Sequence, residues 1–430
     1  MDFKSIILFI HELHPLTYIG LLLITGYMGG ETANHFKLPR VTGYLVMGML
    51  LSHSVLGLFQ ERLVKDELTV ITHIALGIIA FSIGGSLSVT KLKKLGKYIF
   101  WINVTEALGA FLFVTALLIT FFWWMYQMGP TTAFFWSTYI PMALVIGATC
   151  AATAPAGVLA IVHEYRAKGP FTTILLGVVA LDDGVAIFLY AFAISIADSL
   201  VNHQAIAWYN LIVGAMSSIV LSLSIGGIFG LCLRLLVHFV PRREAMLAVS
   251  IGLIFLTSGL AISVEVSPLL ANMMLGFVVI NYVEHHEDIF NVVESLEEPI
   301  FCMFFTLAGA HLDLPAIETA GWLAIIITFG RFAGKLLGAH LGARISQAQE
   351  TVKNYLGFGL MPAAGVTVGL ILNAREILGA SPTSEVMVNA VLGAVIINQL
   401  LSPPWVRFSL LKAGEAHPHE PSMGNNPLPH

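Results

Sequence analysis

Thirteen stretches of the chain are dominated by apolar residues and separated by short polar turns. They lie near 15–36, 39–57, 68–87, 97–124, 139–163, 171–199, 207–238, 244–262, 267–284, 297–313, 318–342, 353–374 and 384–406. Many approach the roughly 20 residues that a helix needs to cross a bilayer. The pattern predicts an all-α polytopic membrane protein of about 13 transmembrane helices, with no room for a soluble domain between them. The last residues, from Gly414, are rich in Pro, Asn, Gly and His and are expected to be a disordered tail.

Composition agrees with this reading. Of 430 residues, 57% are apolar and only 11% charged, with a mean hydropathy of +0.83. A soluble domain carries roughly 25% charged residues. The net charge of −5 decides little, because placement of charge matters more here than its sum. Cys150, Cys232 and Cys302 all fall in apolar stretches, which argues against a disulfide framework. The apolar run Ser5 to Ile10 is too short for a signal-peptide core, so the first helix is expected to serve as the insertion signal.

Lys and Arg in the loops set an orientation. With the N-terminus outside, fifteen of the 21 fall in inner loops and four (Lys4, Arg62, Lys65 and Arg375) outside. Arg331 and Lys335, inside an apolar stretch, complete the set. An odd number of spans then leaves the C-terminus inside. A weak repeat is also visible. Ala154-Pro155-Ala156-Gly157-Val158 returns as Pro362-Ala363-Ala364-Gly365-Val366, seven segments later. An odd offset inverts the second copy in the membrane, as in transporters built from inverted repeats.

The chemistry centres on Asp182-Asp183, two carboxylates in the middle of an apolar run. A charge at the centre of a membrane helix costs ~3 kcal/mol on insertion scales. Neighbouring residues diverge by ~100° around a helix, so one Asp can face a cavity while the other faces a neighbouring helix. Pro155 and Pro362, each followed within three residues by Gly157 or Gly365, interrupt two other apolar stretches. Each proline removes a hydrogen bond to the residue four back, freeing the carbonyls of Ala151 and Phe358. Two readings are open: ordinary proline kinks, or two broken helices crossing at the midplane with half-helix ends beside an ion site. Thr153 precedes the first break and either offers oxygen to a hard cation or bonds back to the preceding turn.

Arg331 and Lys335 are four apart and share a helix face. Their depth argues against snorkelling and for a buried carboxylate partner to one of them, with Arg331 the better candidate to hold a fixed partner. Lys335 is the titratable one, either releasing a proton when a cation binds or acting as a fixed counter-ion; Arg331 stays charged. Glu106 is a candidate proton relay or a bond to a neighbouring helix. Glu31, Asp198 and Glu265 lie near segment ends and are expected to be solvated. His285-His286-Glu287-Asp288 is either a pH-sensitive cluster or a plain acidic loop.

On these residues the sequence resembles the monovalent cation:proton antiporter superfamily, in its two-aspartate branch (NhaA/NapA-like, with Kef-type exchangers nearby). The resemblance spans essentially the whole chain. It is carried by Leu38-Pro39-Arg40-Val41-Thr42-Gly43-Tyr44, Thr153-Ala154-Pro155-Ala156, Asp182-Asp183, Pro299-Ile300-Phe301, Gly334-Lys335 and the stretch from Met361-Pro362 to Gly369. It implies that Asp183 binds the cation or proton, with Na⁺ at Asp183 as the transported metal, and that Asp182 pairs with Lys335. It further implies a scaffold for homodimerisation from residues 1–90 and 241–315, and core transport helices from 91–200 and 316–410. A linker helix at 201–240 and a disordered cytoplasmic tail at 411–430 complete the organisation. The sequence departs from the family in two ways. Only Ala363, Ala364 and Gly365 follow Pro362, where relatives often carry a charged residue. Arg331 also resembles the arginine of the electroneutral branch, which makes it a second candidate basic partner.

The expected activity is exchange of Na⁺, with Li⁺ or K⁺ as alternatives, for H⁺ across a prokaryotic-type plasma membrane. No cofactor, no nucleic acid and no partner beyond lipid and a second copy is implied. Two rivals are a Kef-type K⁺/H⁺ efflux system and a Na⁺-coupled organic-anion symporter of related fold. An enzyme is disfavoured, since no HExxH or GxSxG motif accompanies the Asp pair.

Overall fold

The computed structural model describes residues 14–59, 68–126, 135–202, 208–237, 243–284, 286–310, 314–363, 365–379 and 382–416. Among these residues there are fifteen α-helices and no strand. They are α1 (Pro15–His35), α2 (Arg40–Leu51), α3 (Thr69–Ser86), α4 (Val89–Tyr126), α5 (Ile140–Thr149), α6 (Pro155–Glu164), α7 (Pro170–Asn202) and α8 (Trp208–Val237). Then come α9 (Arg243–Ser263), α10 (Pro268–Tyr282), α11 (His286–Ala310), α12 (Leu314–Ser346), α13 (Glu350–Gly359), α14 (Gly365–Leu378) and α15 (Pro382–Lys412).

Each apolar stretch of the sequence overlaps one helix, except two that each overlap a pair. The stretch 139–163 holds α5 and α6, and 353–374 overlaps α13 and α14. Six helices are long and apolar enough to cross a membrane by length and composition alone, and several others are shorter. The number of crossings therefore rests on the sequence pattern. α12 is interrupted at Gly321, whose φ of 54° suits a residue without a Cβ. Its continuous apolar part is Gly321–Ser346.

The helices sort into two groups by packing. α4, α5, α7 and α12–α15 pack mainly on one another, and so do α1–α3 with α8–α11. α6 lies between them, touching α2 and α3 on one side and α7 and α15 on the other. α7 passes through two apolar cores. Its first half, to Ala180, packs with α6 and α13; its second half, from Val185, packs with α5 and α14. Asp182 and Asp183 fall at the seam between these cores.

Of the stretch expected to be a disordered tail, Gly414–Ala416 are among the described residues and are ordered. The Glu415 carboxylate accepts hydrogen bonds from the Phe171 and Thr172 amides at 2.8 and 2.7 Å, and its carbonyl accepts from Lys168. An anion on the free amides at the start of α7 is favourable, which anchors the chain there. Residues 417–430 lie outside the described residues, as do Lys4, Arg62, Lys65 and His285. The three cysteines are free.

Candidate functional site

The two half-helix pairs meet at their links. α5 ends at Thr149 and α6 begins at Pro155; α13 ends at Gly359 and α14 begins at Gly365. Pro155 is therefore not in mid-helix, as a simple kink would place it. It is the first residue of α6, where a missing N–H costs nothing. Pro362 sits in the second link, and Ala364 lies outside the described residues. The Ala154 amide donates to the Pro362 carbonyl at 2.9 Å. Gly157 faces the same proline, and a Cβ there would come within 3.1 Å of the Pro362 ring. The glycine allows the two chains to cross this closely.

Arg331 closes the crossing from α12. Its guanidinium donates to the carbonyls of Cys150 (3.1 Å), Ala152 (2.7 Å), Met361 (2.5 Å) and Pro362 (3.1 Å). These carbonyls belong to the two links, where helix C-termini leave acceptors unsatisfied and partial negative charge gathers. A planar fork of five donors suits several acceptors at once. The fixed partners of Arg331 are thus backbone carbonyls, and the carboxylates go to the other base of the pair. The carbonyls in use are not Ala151 and Phe358, the ones expected from proline kinks, because the chain leaves the helix before either proline.

Lys335, one turn further along α12, is fully buried. Its ammonium lies 2.6 Å from Glu106 Oε2, 2.8 Å from the Thr153 hydroxyl and 3.3 Å from Asp182 Oδ2. Three donors thus meet three acceptors on three elements: α4, the first link and α7. The Thr153 hydroxyl also donates to the Leu360 carbonyl at 3.5 Å, so it bridges the links rather than bonding back along its own turn.

Asp183 is different. It is 2% exposed, and neither carboxylate oxygen has a hydrogen-bond partner among the described residues. Oδ1 of Asp182 and Oε1 of Glu106 are likewise unpartnered. Buried polar atoms are nearly always satisfied. Four such carboxylate oxygens around one crossing leave acceptor capacity for a cation or protons.

Comparison with known proteins gives the family. Residues 19–412 match the family model described as sodium/hydrogen exchanger, transmembrane. The chain belongs to the sodium/hydrogen exchanger family. It is therefore a multi-pass membrane protein of an antiporter family rather than of an enzyme family. It is 26% identical to the high-affinity Na⁺/H⁺ antiporter NhaS3 of Synechocystis, covering 92% of this chain and 91% of that one. It is 24% identical to the Na⁺/H⁺ antiporter NhaS4 of the same organism, over 94% and 97%. Among solved structures it is similar to the sodium proton antiporter MjNhaP1 of Methanocaldococcus jannaschii, with a TM-score of 0.66 at 18% identity, covering 93% and 98% of the two chains. At that identity the likeness speaks for the fold alone.

For this sodium/hydrogen exchanger family member, sequence reasoning named Glu106 but missed what it touches. Gly330, Gly334, Gly338 and Gly342 recur every fourth residue on α12. That spacing is the signal of close backbone contact between membrane helices. In the structure this stripe lies on α4: a Cβ on Gly334 would sit 2.6 Å from the Gly109 carbonyl, and one on Gly338 would sit 2.3 Å from the Thr105 carbonyl. The contact sets Glu106 opposite Lys335.

Proposed function

We propose that this protein exchanges Na⁺ for H⁺ by alternating access, with cation and proton competing for Asp183. The observation that carries this reading is the pair of unpartnered oxygens on a buried Asp183, beside an Asp182 already within reach of Lys335. A bare carboxylate in a dry interior is costly. Either a proton or a cation removes that cost, so the site moves through the barrier loaded and resists moving empty.

Counting charge supports a one-for-one exchange. With every group ionised, the carboxylates of Glu106, Asp182 and Asp183 and the cations of Lys335 and Arg331 sum to a single negative charge. One proton or one Na⁺ neutralises it. Lys335 sits closer to Glu106 than to Asp182, which favours the fixed counter-ion over the transported-proton reading of that lysine. Arg331 gives its donors to the carbonyls of the links, so its charge acts on the carboxylates only through space.

In this reading residues 91–200 and 316–410 form the moving core and 1–90 and 241–315 the dimerising scaffold. The helix within 201–240 links them. The N-terminus lies outside a prokaryotic-type plasma membrane and the Lys/Arg-rich face inside. Proton flux in proteoliposomes, with Na⁺, Li⁺, K⁺ and choline added in turn, tests it. Flux with Na⁺ or Li⁺ and none with choline is the expected result. Flux with K⁺ alone would favour the Kef-type alternative. Silence with every cation, alongside counterflow of a labelled organic anion, would favour the symporter.

A further inference from the structure

The Lys/Arg-rich face of the molecule is unevenly charged. On the side of α1–α3 and α8–α11, acids and bases are interspersed. Arg40 pairs with Glu31 at 2.8 Å and Glu298 at 2.6 Å, its amide donates to Glu164 at 2.9 Å, and His163 lies 2.5 Å from Glu297. Glu284, Glu287, Asp288 and Glu294 are exposed around the start of α11. On the other side the cations stand without acids. Lys93, Lys94 and Lys97 at the start of α4, Arg344 near the end of α12 and Lys412 at the end of α15 are all exposed. Among the described residues none of these five is in an ion pair. The nearby Glu350 pairs with Lys353 at 2.7 Å, and Glu415 is turned to the amides that open α7. The Lys/Arg bias that sets orientation does not by itself gather the unpaired cations on one group of helices.

These cations form one arc across four helices. α4 and α12 run in opposite directions, and a Cβ on Gly342 would sit 2.7 Å from the Trp101 carbonyl. Arg344, two residues on, is thereby set near the turn of α4 that carries Lys97. His340, one turn before Arg344, has Nδ1 2.9 Å from the Lys353 carbonyl of α13. Tyr355 of α13 meets the Phe408 ring of α15 at 6.0 Å, and the Lys412 ammonium lies 5.8 Å from the centre of that ring. One or two turns deeper along the same helices is an apolar wall: Phe100, Trp101, Leu337, Leu341 and Trp405 are all exposed. A basic rim alone attracts any anion. A basic rim above exposed aromatic and aliphatic side chains, at the depth where tryptophan marks a membrane interface, fits a molecule with phosphate at one end and acyl chains at the other.

We propose that this rim binds anionic phospholipid. The cations at the ends of α4, α12 and α15 hold the headgroup phosphate, and the acyl chains lie on the exposed apolar residues beneath. The rim belongs to the group of helices that carries Asp182 and Asp183, so the lipid ties that group, rather than its neighbour, to the leaflet. That the leaflet is the inner one rests on the orientation in the exchange reading; the binding does not.

The test reads lipid contact, not transport. Full-length protein sits in nanodiscs of phosphatidylcholine containing a minor fraction of phosphatidylglycerol, with bromine on the acyl chains of one lipid or the other. Bromine quenches tryptophan on contact. Trp101 and Trp405 lie beside the rim, whereas Trp123, Trp124 and Trp322 lie at the far ends of α4 and α12. At low salt, brominated phosphatidylglycerol is enriched at the quenched tryptophans roughly tenfold over brominated phosphatidylcholine, and the enrichment falls as salt rises. Changing Lys93, Lys97, Arg344 and Lys412 together to Gln abolishes it. Lys37→Gln with Arg234→Gln, on the other group of helices, leaves it in place. All six positions are exposed, so melting temperatures stay close to that of the unaltered protein. Should the fourfold variant not fold, Arg344→Gln and Lys412→Gln made singly each lower the enrichment. Equal quenching by the two brominated lipids, or loss of the enrichment in both sets of variants, overturns the proposal. So does displacement of the lipid by inorganic phosphate beyond that by chloride at equal ionic strength, which would assign the rim to a soluble anion. Absence of Na⁺-dependent proton flux with the enrichment intact would instead overturn the exchange reading and leave the lipid site standing.

Discussion

Carboxylates cluster at both ends of α6, and they meet different surroundings. At the far end the half-buried Glu164 accepts two bonds from one amide, and the buried Glu297 accepts one from a serine hydroxyl, while its second oxygen has no hydrogen bond and lies 2.5 Å from a histidine nitrogen. At the near end Asp183 has no partner, and Asp182 and Glu106 each keep one oxygen free. Partners at the far end are fixed parts of the fold, so those carboxylates tie helices together. At the crossing the missing partners must be mobile, because a permanently bare carboxylate would not be tolerated there. The same residue type ties helices together in one place and, in the proposed exchange, carries the ion in the other, and the distinction lies in whether any fixed cation or donor stands close by.

The largest test of this contrast is Asp183→Asn. The amide keeps the shape but cannot exchange a proton for a cation. Na⁺-dependent proton flux in proteoliposomes should fall to the level of empty vesicles while the protein stays monodisperse. By comparison Glu164→Gln, at the other end of the same half-helix, should mainly lower the melting temperature, by the ~1 kcal/mol of a weakened cap. If the two variants lost flux equally with no difference in stability, the contrast would fail.

Next in size is the Lys335 pair. Glu106→Gln leaves Asp182 as the ammonium's one carboxylate, beside the Thr153 hydroxyl, and Lys335→Gln leaves two carboxylates without their cation. Breaking one side of a buried pair costs about 3–5 kcal/mol. The double variant should recover much of that loss in denaturation, and it should recover Na⁺ affinity too, because the net midplane charge returns to minus one. With membrane potential clamped, flux of the unaltered protein should not respond to voltage. A strong response would restore Lys335 as a proton carrier and change the stoichiometry.

Arg331→Lys is smaller again. A lysine keeps the charge but has three donors where the guanidinium serves four carbonyls at the crossing. The carbonyls left over cost about 1–3 kcal/mol, read as a lower melting temperature together with weaker Na⁺ binding. An unchanged affinity would mean that the links hold their shape without the arginine.

Much of this architecture was legible in the chain. The apolar stretches located the helices, and the Pro-Ala-Gly runs marked both breaks, because few other patterns interrupt an apolar helix so visibly. What the sequence hid were partners across space. Arg331 and Lys335 share a face and a charge, and nothing in their spacing says that one serves carbonyls and the other carboxylates. That difference comes from the two links, whose carbonyls exist as acceptors only once the chain has left the helix at Thr149 and Gly359. Glu106 could be placed on α4 but not opposite Lys335 without the glycine stripe of α12. The ties of Arg40 to Glu164 and of His163 to Glu297 join residues far apart in sequence, and neither end carries a local signal. Glu31 illustrates the same point: it is solvated at its helix end, with its side chain 40% exposed, and also pairs with Arg40.

Competition at Asp183 is the central claim, and proton release on Na⁺ binding tests it most directly. Purified protein in weakly buffered detergent solution receives NaCl, with choline chloride as the control, while a pH indicator and calorimetry follow protons and binding together. The account predicts one proton released per Na⁺ bound, with apparent Na⁺ affinity weakening up to tenfold for each unit of acidification in the range where the site is protonated. It also predicts no release in Asp183→Asn. Saturable Na⁺ binding without proton release, at an affinity that does not change with pH, would contradict it.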